Sequence, residues 1–407
     1  MIGAGIFALP SAVVERAGVL SPWLFLGAGF LIITIVLSMA ELSSYFRNSG
    51  GPALYATEAF GPLVGFGTGW IYYISRVAAF AANAHVMAVY LGNVSAWFDT
   101  PDGHALVVIA VCLGLTVVNV LGVRDGVRTL SVFTFLKVVP LILLVLIGLR
   151  SVGPEVLFPD VVPTIDDLGG TMLLLIYAFV GFESVLVTAG ETEKPRRTIP
   201  NALVRTVIFT AAFYLLIMIV YMSVLPADLA RSGTLVDVGR QLAGPVGAIA
   251  ITLAAVFSIG GNLSGSILSS PRLLLALAEH GTLPAWFGRI HPKYSSPSNS
   301  IIFYGGLATI LGLTGSFVFL AVASSLTRLI TFSVCILGLP NIKKRADSET
   351  RQQAYRLKGG YTIPILALVM CFWMGSHSSL DSLLYVGGLL AVGFVFYWLE
   401  MTFLRKS

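Results

Sequence analysis

Long apolar segments recur from one end of this chain to the other, among them Leu24–Met39, Leu106–Val123 and Leu203–Leu225. A helix needs about 20 residues to cross the apolar part of a bilayer. Of the 407 residues, 56% are apolar and only 11% are charged, whereas a typical soluble domain carries about 25% charged residues. A soluble fold cannot bury so much apolar surface, so the sequence predicts one polytopic helical membrane domain.

We predict about twelve membrane-spanning helices, of which the first is truncated. Their approximate bounds are 2–17, 23–46, 64–91, 104–123, 131–149, 169–190, 202–225, 244–277, 300–314, 316–339, 361–377 and 383–403. The first crossing has only half the usual length. Either the true start lies upstream, or the inner half of this helix is missing.

The basic residues between these helices fall almost entirely on one side when the connections alternate. That side receives Arg47, Arg124, Arg128, Lys194, Arg196, Arg197, Arg205, Arg272, Arg289, Lys293, Lys343, Lys344, Arg345, Arg351, Arg356, Lys358, Arg405 and Lys406. The other side receives only Arg16, Arg150, Arg231 and Arg240. The positive-inside rule therefore predicts cytoplasmic basic loops and a cytoplasmic C-terminus. The formal charge of +5 then reflects topology and not a nucleic-acid partner.

Other classes of function have little support in the sequence. Cys112, Cys335 and Cys371 all fall inside predicted spans, which favours small buried apolar side chains over a disulfide or a metal site. The sequence has no His/Cys cluster with metal-ligand spacing, no P-loop and no nucleophile paired with a base. We therefore expect neither a metal nor a cofactor, and we do not expect an enzyme.

Glycine spacing at the start of the chain suggests an interrupted helix. The run Gly3-Ala4-Gly5-Ile6-Phe7-Ala8 matches G-x-G-x-x-A, but a dinucleotide fold also needs a preceding strand and a later acidic residue, which are absent here. The glycines either allow close helix packing or break the helix, exposing N–H groups that attract an anion. Gly181 and Glu183 suggest a second interruption in the sixth crossing. Two such breaks favour a transporter whose substrate lies between them.

Several motifs resemble the amino acid–polyamine–organocation (APC) superfamily of permeases, and most of all its bacterial cationic-amino-acid-transporter-like branch. They are IGAGIFALP, MAELSSYFRNSGGPALYATEAFG, YAFVGFES, ETEKPRRTIPNAL and GSILSSPRLLLALAEHGTLP. The resemblance implies a leucine-transporter-type fold with discontinuous helices 1 and 6. Residues 1–149 and 169–339 would be inverted five-helix repeats, and 361–403 would add two helices. It also implies secondary transport of amino acids.

The resemblance further implies a substrate site made mainly of backbone atoms. N–H groups of Gly3, Ala4 and Gly5 would hold the α-carboxylate. Carbonyls of the second break, with help from Ile2, would hold the α-ammonium; the residues are Tyr177, Ala178 and Val180. The Tyr177 ring would cover the substrate, although an aromatic side chain in a membrane helix often serves only packing. Because the sequence offers no acidic cluster for a cationic side chain, it favours small neutral substrates.

Lys137 is the main candidate for proton coupling. A lysine at mid-membrane costs about 2.5–3.5 kcal/mol to insert, so its presence indicates a function or a carboxylate partner. The resemblance implies that it replaces a sodium ion and bridges helix 1 carbonyls and helix 8. Helix 8 presents a possible polar face to the cavity, consisting of Ser258, Asn262, Ser266 and Ser269.

Glu183 is the second candidate for proton coupling, with helix capping as an equal alternative. Arg76, seven residues before Asn83 on one helix face, could neutralise Glu183 or an acidic substrate, but a structural ion pair is favoured. We interpret Arg328 as structural and His85 as a lone packing residue. A last group is predicted to form cytoplasmic gate or loop contacts: Glu41, Arg47, Glu191, Lys194, Arg196 and Arg197.

The leading hypothesis is proton-coupled uptake of an amino acid through the bacterial cytoplasmic membrane. An exchanger on the same fold is the nearest alternative, because exchange needs no titratable group at Lys137. A sensor that binds an amino acid without moving it, or a defective product lacking half of helix 1, are the others. The expected partners are the amino acid, protons and the lipid bilayer.

Overall fold

The computed structural model describes residues 2–46, 51–122, 126–157, 167–187, 195–357 and 359–404. Within these ranges the regular structure consists of helices, without strands. The first ten α-helices are α1 (Gly5–Ala8), α2 (Pro10–Ala17), α3 (Ser21–Ser43), α4 (Gly51–Phe60), α5 (Pro62–Gly92), α6 (Pro101–Val120), α7 (Gly126–Gly148), α8 (Pro154–Leu157), α9 (Leu168–Ile176) and α10 (Glu183–Val187). The others are α11 (Pro195–Val224), α12 (Ala227–Ala230), α13 (Leu235–Ser269), α14 (Pro271–Glu279), α15 (Ser298–Thr314), α16 (Phe317–Arg345), α17 (Ser348–Gln353), α18 (Thr362–Ser376) and α19 (Leu380–Leu399).

All twelve predicted spans fall on helical segments. Among the described residues, eight helical stretches are long and apolar enough to cross a membrane, and one of them, Pro10–Ser43, covers the first two predicted spans. Three shorter apolar helices cover the sixth, ninth and eleventh spans, namely Leu168–Phe179, Ser298–Thr314 and Thr362–Ser376. The helical membrane architecture is thus established, while the division into two inverted repeats stays a prediction.

The sixth span is interrupted where the sequence predicts it. After α9, residues Tyr177–Phe179 form a short 3-10 helix, and Val180 turns into an extended conformation with ψ 156°. Gly181 follows with φ +115°, a backbone conformation that is strained for any residue with a Cβ. The chain becomes helical again at Glu183. The glycine therefore permits the break.

The first span is also broken into short pieces. Residues 2–4 are not helical, α1 has only four residues, and α2 begins at Pro10. Proline is well suited to the first turn of a helix, because its missing N–H would have no intrahelical partner there. Helix α1 contacts the 3-10 segment 177–179, so the two interrupted spans meet.

The eighth predicted span is longer than expected but bends where we placed its start. Helix α13 begins at Leu235, and non-helical backbone at Ala243 and Gly244 bends it just before Pro245. Proline cannot supply the N–H that a continuous helix would need. The sequence signal at residue 244 therefore marks a kink, and the helix itself starts nine residues earlier.

Helix α5 is the central scaffold of the structure. It packs against α4, α6, α13, α15 and α16, while α3 packs on α11 and α7 on α13. Large α5 side chains such as Trp70, Tyr73 and Phe80 are almost fully buried. This packing fixes α5 next to both broken spans and to α13.

Part of the predicted cytoplasmic charge cannot be placed. Residues Arg47, Arg124, Glu191, Lys194, Lys358, Arg405 and Lys406 lie outside the described residues, as do the side chains of Arg128, Arg196 and Arg197. The orientation of the loops and of the C-terminus therefore stays a prediction.

Candidate functional site

A cavity of about 390 Å³ lies between the two broken spans and helices α5, α7, α13 and α16. All seven predicted substrate-binding residues line it: Ile2, Gly3, Ala4, Gly5, Tyr177, Ala178 and Val180. The other ionisable or polar side chains on its described wall are Arg76, Asn83, Thr134, Lys137, Glu183, Asn262, Ser266, Ser269 and Arg328. The structure thus brings together residues that are up to 326 positions apart in the sequence.

The first broken span presents backbone to this cavity. Helix α1 starts at Gly5, and the first N–H groups of a helix have no acceptor within the helix. Residues Gly3, Ala4 and Gly5 are buried from bulk solvent and line the cavity. This arrangement can bind an anionic group through N–H donors.

The second broken span passes very close to the first. A methyl group added at Gly5 would lie 2.6 Å from Cα of Ala178, closer than real Cβ contacts come. The Ala178 carbonyl accepts a hydrogen bond from the Tyr214 hydroxyl at 3.3 Å, and a carbonyl oxygen has a second lone pair. Only glycine at position 5 allows this crossing without movement of the backbone.

Tyr177 is held against α5. Its hydroxyl donates a short hydrogen bond to Oδ1 of Asn83 and lies 3.4 Å from the Ala79 carbonyl. The ring packs edge-on against Phe317, with 5.8 Å between the ring centroids. Sequence reasoning paired Asn83 with Arg76, whereas the structure gives Asn83 to Tyr177.

Lys137 reaches the first broken span from α7. Its Nζ donates to the carbonyl oxygen of Ile2 at 2.6 Å. Asn262 and Ser266 of α13 line the same cavity, but no hydrogen bond joins them to Lys137 in the described part of the chain. No carboxylate of the described residues forms an ion pair with Lys137 either.

Three of the four predicted polar residues of α13 line the cavity: Asn262, Ser266 and Ser269. Ser258 does not, so that part of the prediction is wrong. It lies one turn before Asn262, is fully buried, and its Oγ has no hydrogen-bond partner among the described residues. Helical spacing correctly puts these residues on one face, but the cavity does not extend along the whole face.

Glu183 forms a buried ion pair with Arg328 of α16. The two side chains are 0% and 3% exposed. The other carboxylate oxygen, Oε2, accepts a hydrogen bond from the Gly181 N–H at 2.9 Å, across the break that precedes α10. The interpretation of Arg328 as structural agrees with this pairing, and Glu183 has a capping contact in addition to its place on the cavity wall.

Arg76 has no such partner. Its Nε donates to Ser270 Oγ at 2.5 Å and its Nη2 donates to Ser269 Oγ at 2.7 Å. The favoured ion-pair role is wrong for the described residues, because none of their carboxylates pairs with Arg76. The residue at i+4 on the cavity side was a better guide than charge alone could be, since the partners come from the distant α13 region.

Two further predictions concern residues away from the cavity. His85 is not a lone histidine, because its Nδ1 lies 2.8 Å from Nε2 of His104. Glu41 at the end of α3 is paired with Lys343 at the end of α16, at 2.8 Å. The latter contact joins two helix ends, as expected for a loop or gate contact.

Comparisons with known proteins agree with this architecture. The model of the family described as amino acid permease matches residues 1–401. The serine/threonine exchanger SteT of Bacillus subtilis is 28% identical over 94% of this chain and 89% of its own length. The branched-chain amino acid permease BcaP of Lactococcus lactis is 23% identical, covering 98% of this chain and 90% of the relative.

A third relative is the gamma-aminobutyric acid permease of Bacillus subtilis, which is 25% identical over 94% of this chain and 86% of its own length. All three relatives carry amino acid permease or exchanger names and none is named as an enzyme. Together with the apolar helices, the match over nearly the whole chain shows that this protein belongs to the amino acid permease family of the APC superfamily and is an integral membrane protein.

Proposed function

We propose that this protein takes up amino acids through the bacterial cytoplasmic membrane by alternating access, and that protons drive the uptake through Lys137. The observation that carries the proposal is the 2.6 Å contact between Lys137 Nζ and the Ile2 carbonyl. It attaches a titratable group directly to the segment whose N–H groups would hold the substrate carboxylate.

The coupling follows from the charge of the lysine. A protonated Nζ is a strong donor to a carbonyl oxygen and would hold residues 2–5 in position for substrate. A neutral amine is a weaker donor, so loss of the proton would release that segment. Binding of the substrate to this segment and protonation of Lys137 would therefore favour each other, as linkage requires.

Glu183 is the second group that could carry a proton in this scheme. It would have to leave the buried Arg328 ion pair or exchange its proton while paired. Its cap on Gly181 supports the alternative that it holds the second broken span in shape. Lys137 is therefore the better candidate for the coupling group.

Exchange of one amino acid for another is the second candidate function. It is favoured by the relative SteT, which is named as a serine/threonine exchanger. An exchanger uses the same cavity but needs no change in the protonation of Lys137. A non-transporting sensor would bind the amino acid without flux.

Uptake into proteoliposomes tests these alternatives. Labelled amino acids are supplied with and without an inward proton gradient to the wild type, to Lys137→Ala and to Lys293→Ala. Lys293 is an exposed lysine of the segment between α14 and α15 and serves as the matched control. We expect gradient-stimulated uptake in the wild type and the control, and none in Lys137→Ala. Gradient-independent counterflow that is unchanged in Lys137→Ala would reject proton coupling in favour of exchange, and binding without flux would indicate a sensor.

A further inference from the structure

Arg76 carries a buried positive charge on the cavity wall. The residue is only 9% exposed and lines the cavity from α5. A guanidinium has five N–H donors. Two of them serve the hydroxyls of Ser269 and Ser270, and the contact with the Tyr72 hydroxyl is long, at 3.5 Å. At least two donors are thus left for a ligand.

The charges on the described wall of the cavity do not balance. Arg328 is neutralised by Glu183. Arg76 and Lys137 remain, and both contact only uncharged oxygen atoms of serine, tyrosine or backbone groups in the described residues. The cavity therefore carries two surplus positive charges when Lys137 is protonated, and one when it is neutral.

A neutral amino acid would not correct this imbalance. Its α-carboxylate and α-ammonium cancel, so the surplus would remain inside the protein, where an unpaired charge is strongly unfavourable. A substrate with an anionic side chain supplies the missing charge. A carboxylate also matches the planar guanidinium, which can donate two parallel hydrogen bonds to it.

The position of Arg76 fits a contact with the substrate side chain. Arg76, Ala79 and Asn83 all line the cavity from one face of α5, and seven helical residues span about 10 Å. Asn83 is bound to Tyr177 at the end where the backbone groups are expected to hold the α-substituents. The small Ala79 lies between this end and Arg76, so the wall is open towards the guanidinium.

We propose that Arg76 binds the side-chain carboxylate of an acidic amino acid, and that the substrate class is the acidic amino acids rather than the small neutral ones that the sequence favours. The inference rests on the proposed function, since it assumes that the cavity holds an amino acid. It assigns Arg76 as the residue that determines specificity.

Ligand binding to the purified protein in detergent tests the inference separately from transport. L-glutamate and L-glutamine have nearly the same shape and differ in charge, so the wild type alone provides a matched comparison. We expect thermal stabilisation by L-glutamate or L-aspartate at concentrations on the order of 30-fold lower than for the corresponding amides, because an unpaired buried charge partner has at least this effect.

The variant Arg76→Gln should lose this preference, and Arg76→Lys should keep part of it because the charge remains. Arg240→Gln is the control, since Arg240 is exposed and pairs with Asp237 on the surface. Stabilisation by L-serine or L-glutamine but not by the acidic amino acids would overturn the inference and leave the proposed function intact. Equal stabilisation of Arg76→Gln by L-glutamate would also overturn it. Failure of every amino acid to bind would overturn both.

Discussion

Replacement of Gly5 by alanine tests the close crossing of the two broken spans. The new methyl group would lie 2.6 Å from Cα and 3.0 Å from Cβ of Ala178. Real Cβ atoms essentially never approach another heavy atom closer than 3.0 Å. The obstacle includes backbone, which cannot rotate away as a flexible side chain can. The two segments must therefore separate by about 0.4 Å at least.

The cost of this separation follows from the packing around it. Ala178 is 2% exposed and the neighbouring Phe179 is fully buried, so movement of this segment disturbs a filled core. Extra methyl groups in a well-packed core typically cost about 1–3 kcal/mol. The same displacement would widen the proposed binding site, so we expect substrate affinity to fall on the order of 5- to 150-fold.

Gly306→Ala is the matched control for this experiment. Gly306 lies inside α15, and a methyl group there would meet nothing within 4 Å. Alanine in a helix interior is roughly 0.5–1 kcal/mol better than glycine, so the control should unfold at the same or a higher temperature. Thermal unfolding in detergent and substrate uptake are measured for both variants. If Gly5→Ala matched Gly306→Ala in both measurements, the close crossing would be refuted.

Two buried ion pairs give further predictions. Arg328→Met should destabilise the protein by about 3–5 kcal/mol because Glu183 is left charged and unpaired, and adding Glu183→Gln should recover part of the loss in thermal unfolding; strict additivity of the two changes would contradict the pairing. Lys343→Ala should cost about 1–3 kcal/mol because the carboxylate of Glu41 is only 2% exposed. The exposed neighbour Lys344 is the control, and Lys344→Ala should change stability by less than about 0.5 kcal/mol; equal effects of the two lysine variants would argue against the Glu41 pair.

The helices and the location of the cavity could be predicted from the sequence because both depend on local signals. Apolar length alone places the spans, and the breaks depend on glycines such as Gly181, whose positive φ few other residues tolerate. The motif resemblance then indicated that the two broken spans face each other. The kink at Gly244 and the early start of α13 were missed because tertiary packing extends that helix.

The partners of the charged side chains could not be predicted in the same way. Helical periodicity tells which residues share a face, but not which helix lies opposite that face. Arg76 and Arg328 look alike in the sequence, yet one contacts serines and the other a carboxylate. His104 follows a proline at the start of α6 and carried no signal that it would meet His85. Such pairings depend on contacts between residues far apart in the chain.

The contacts of the first broken span explain why it could link substrate and proton. Gly5 is fixed by its close approach to Ala178, and Ile2 is fixed by Lys137, so both ends of a four-residue segment are held by other elements. A short segment held at both ends transmits a change at one end to the other, because it has little freedom to absorb it. In the proposed mechanism, loss of the proton from Lys137 releases one end and thereby disturbs the N–H groups of Gly3 and Ala4 between them. The coupling would then need only a rearrangement of this segment.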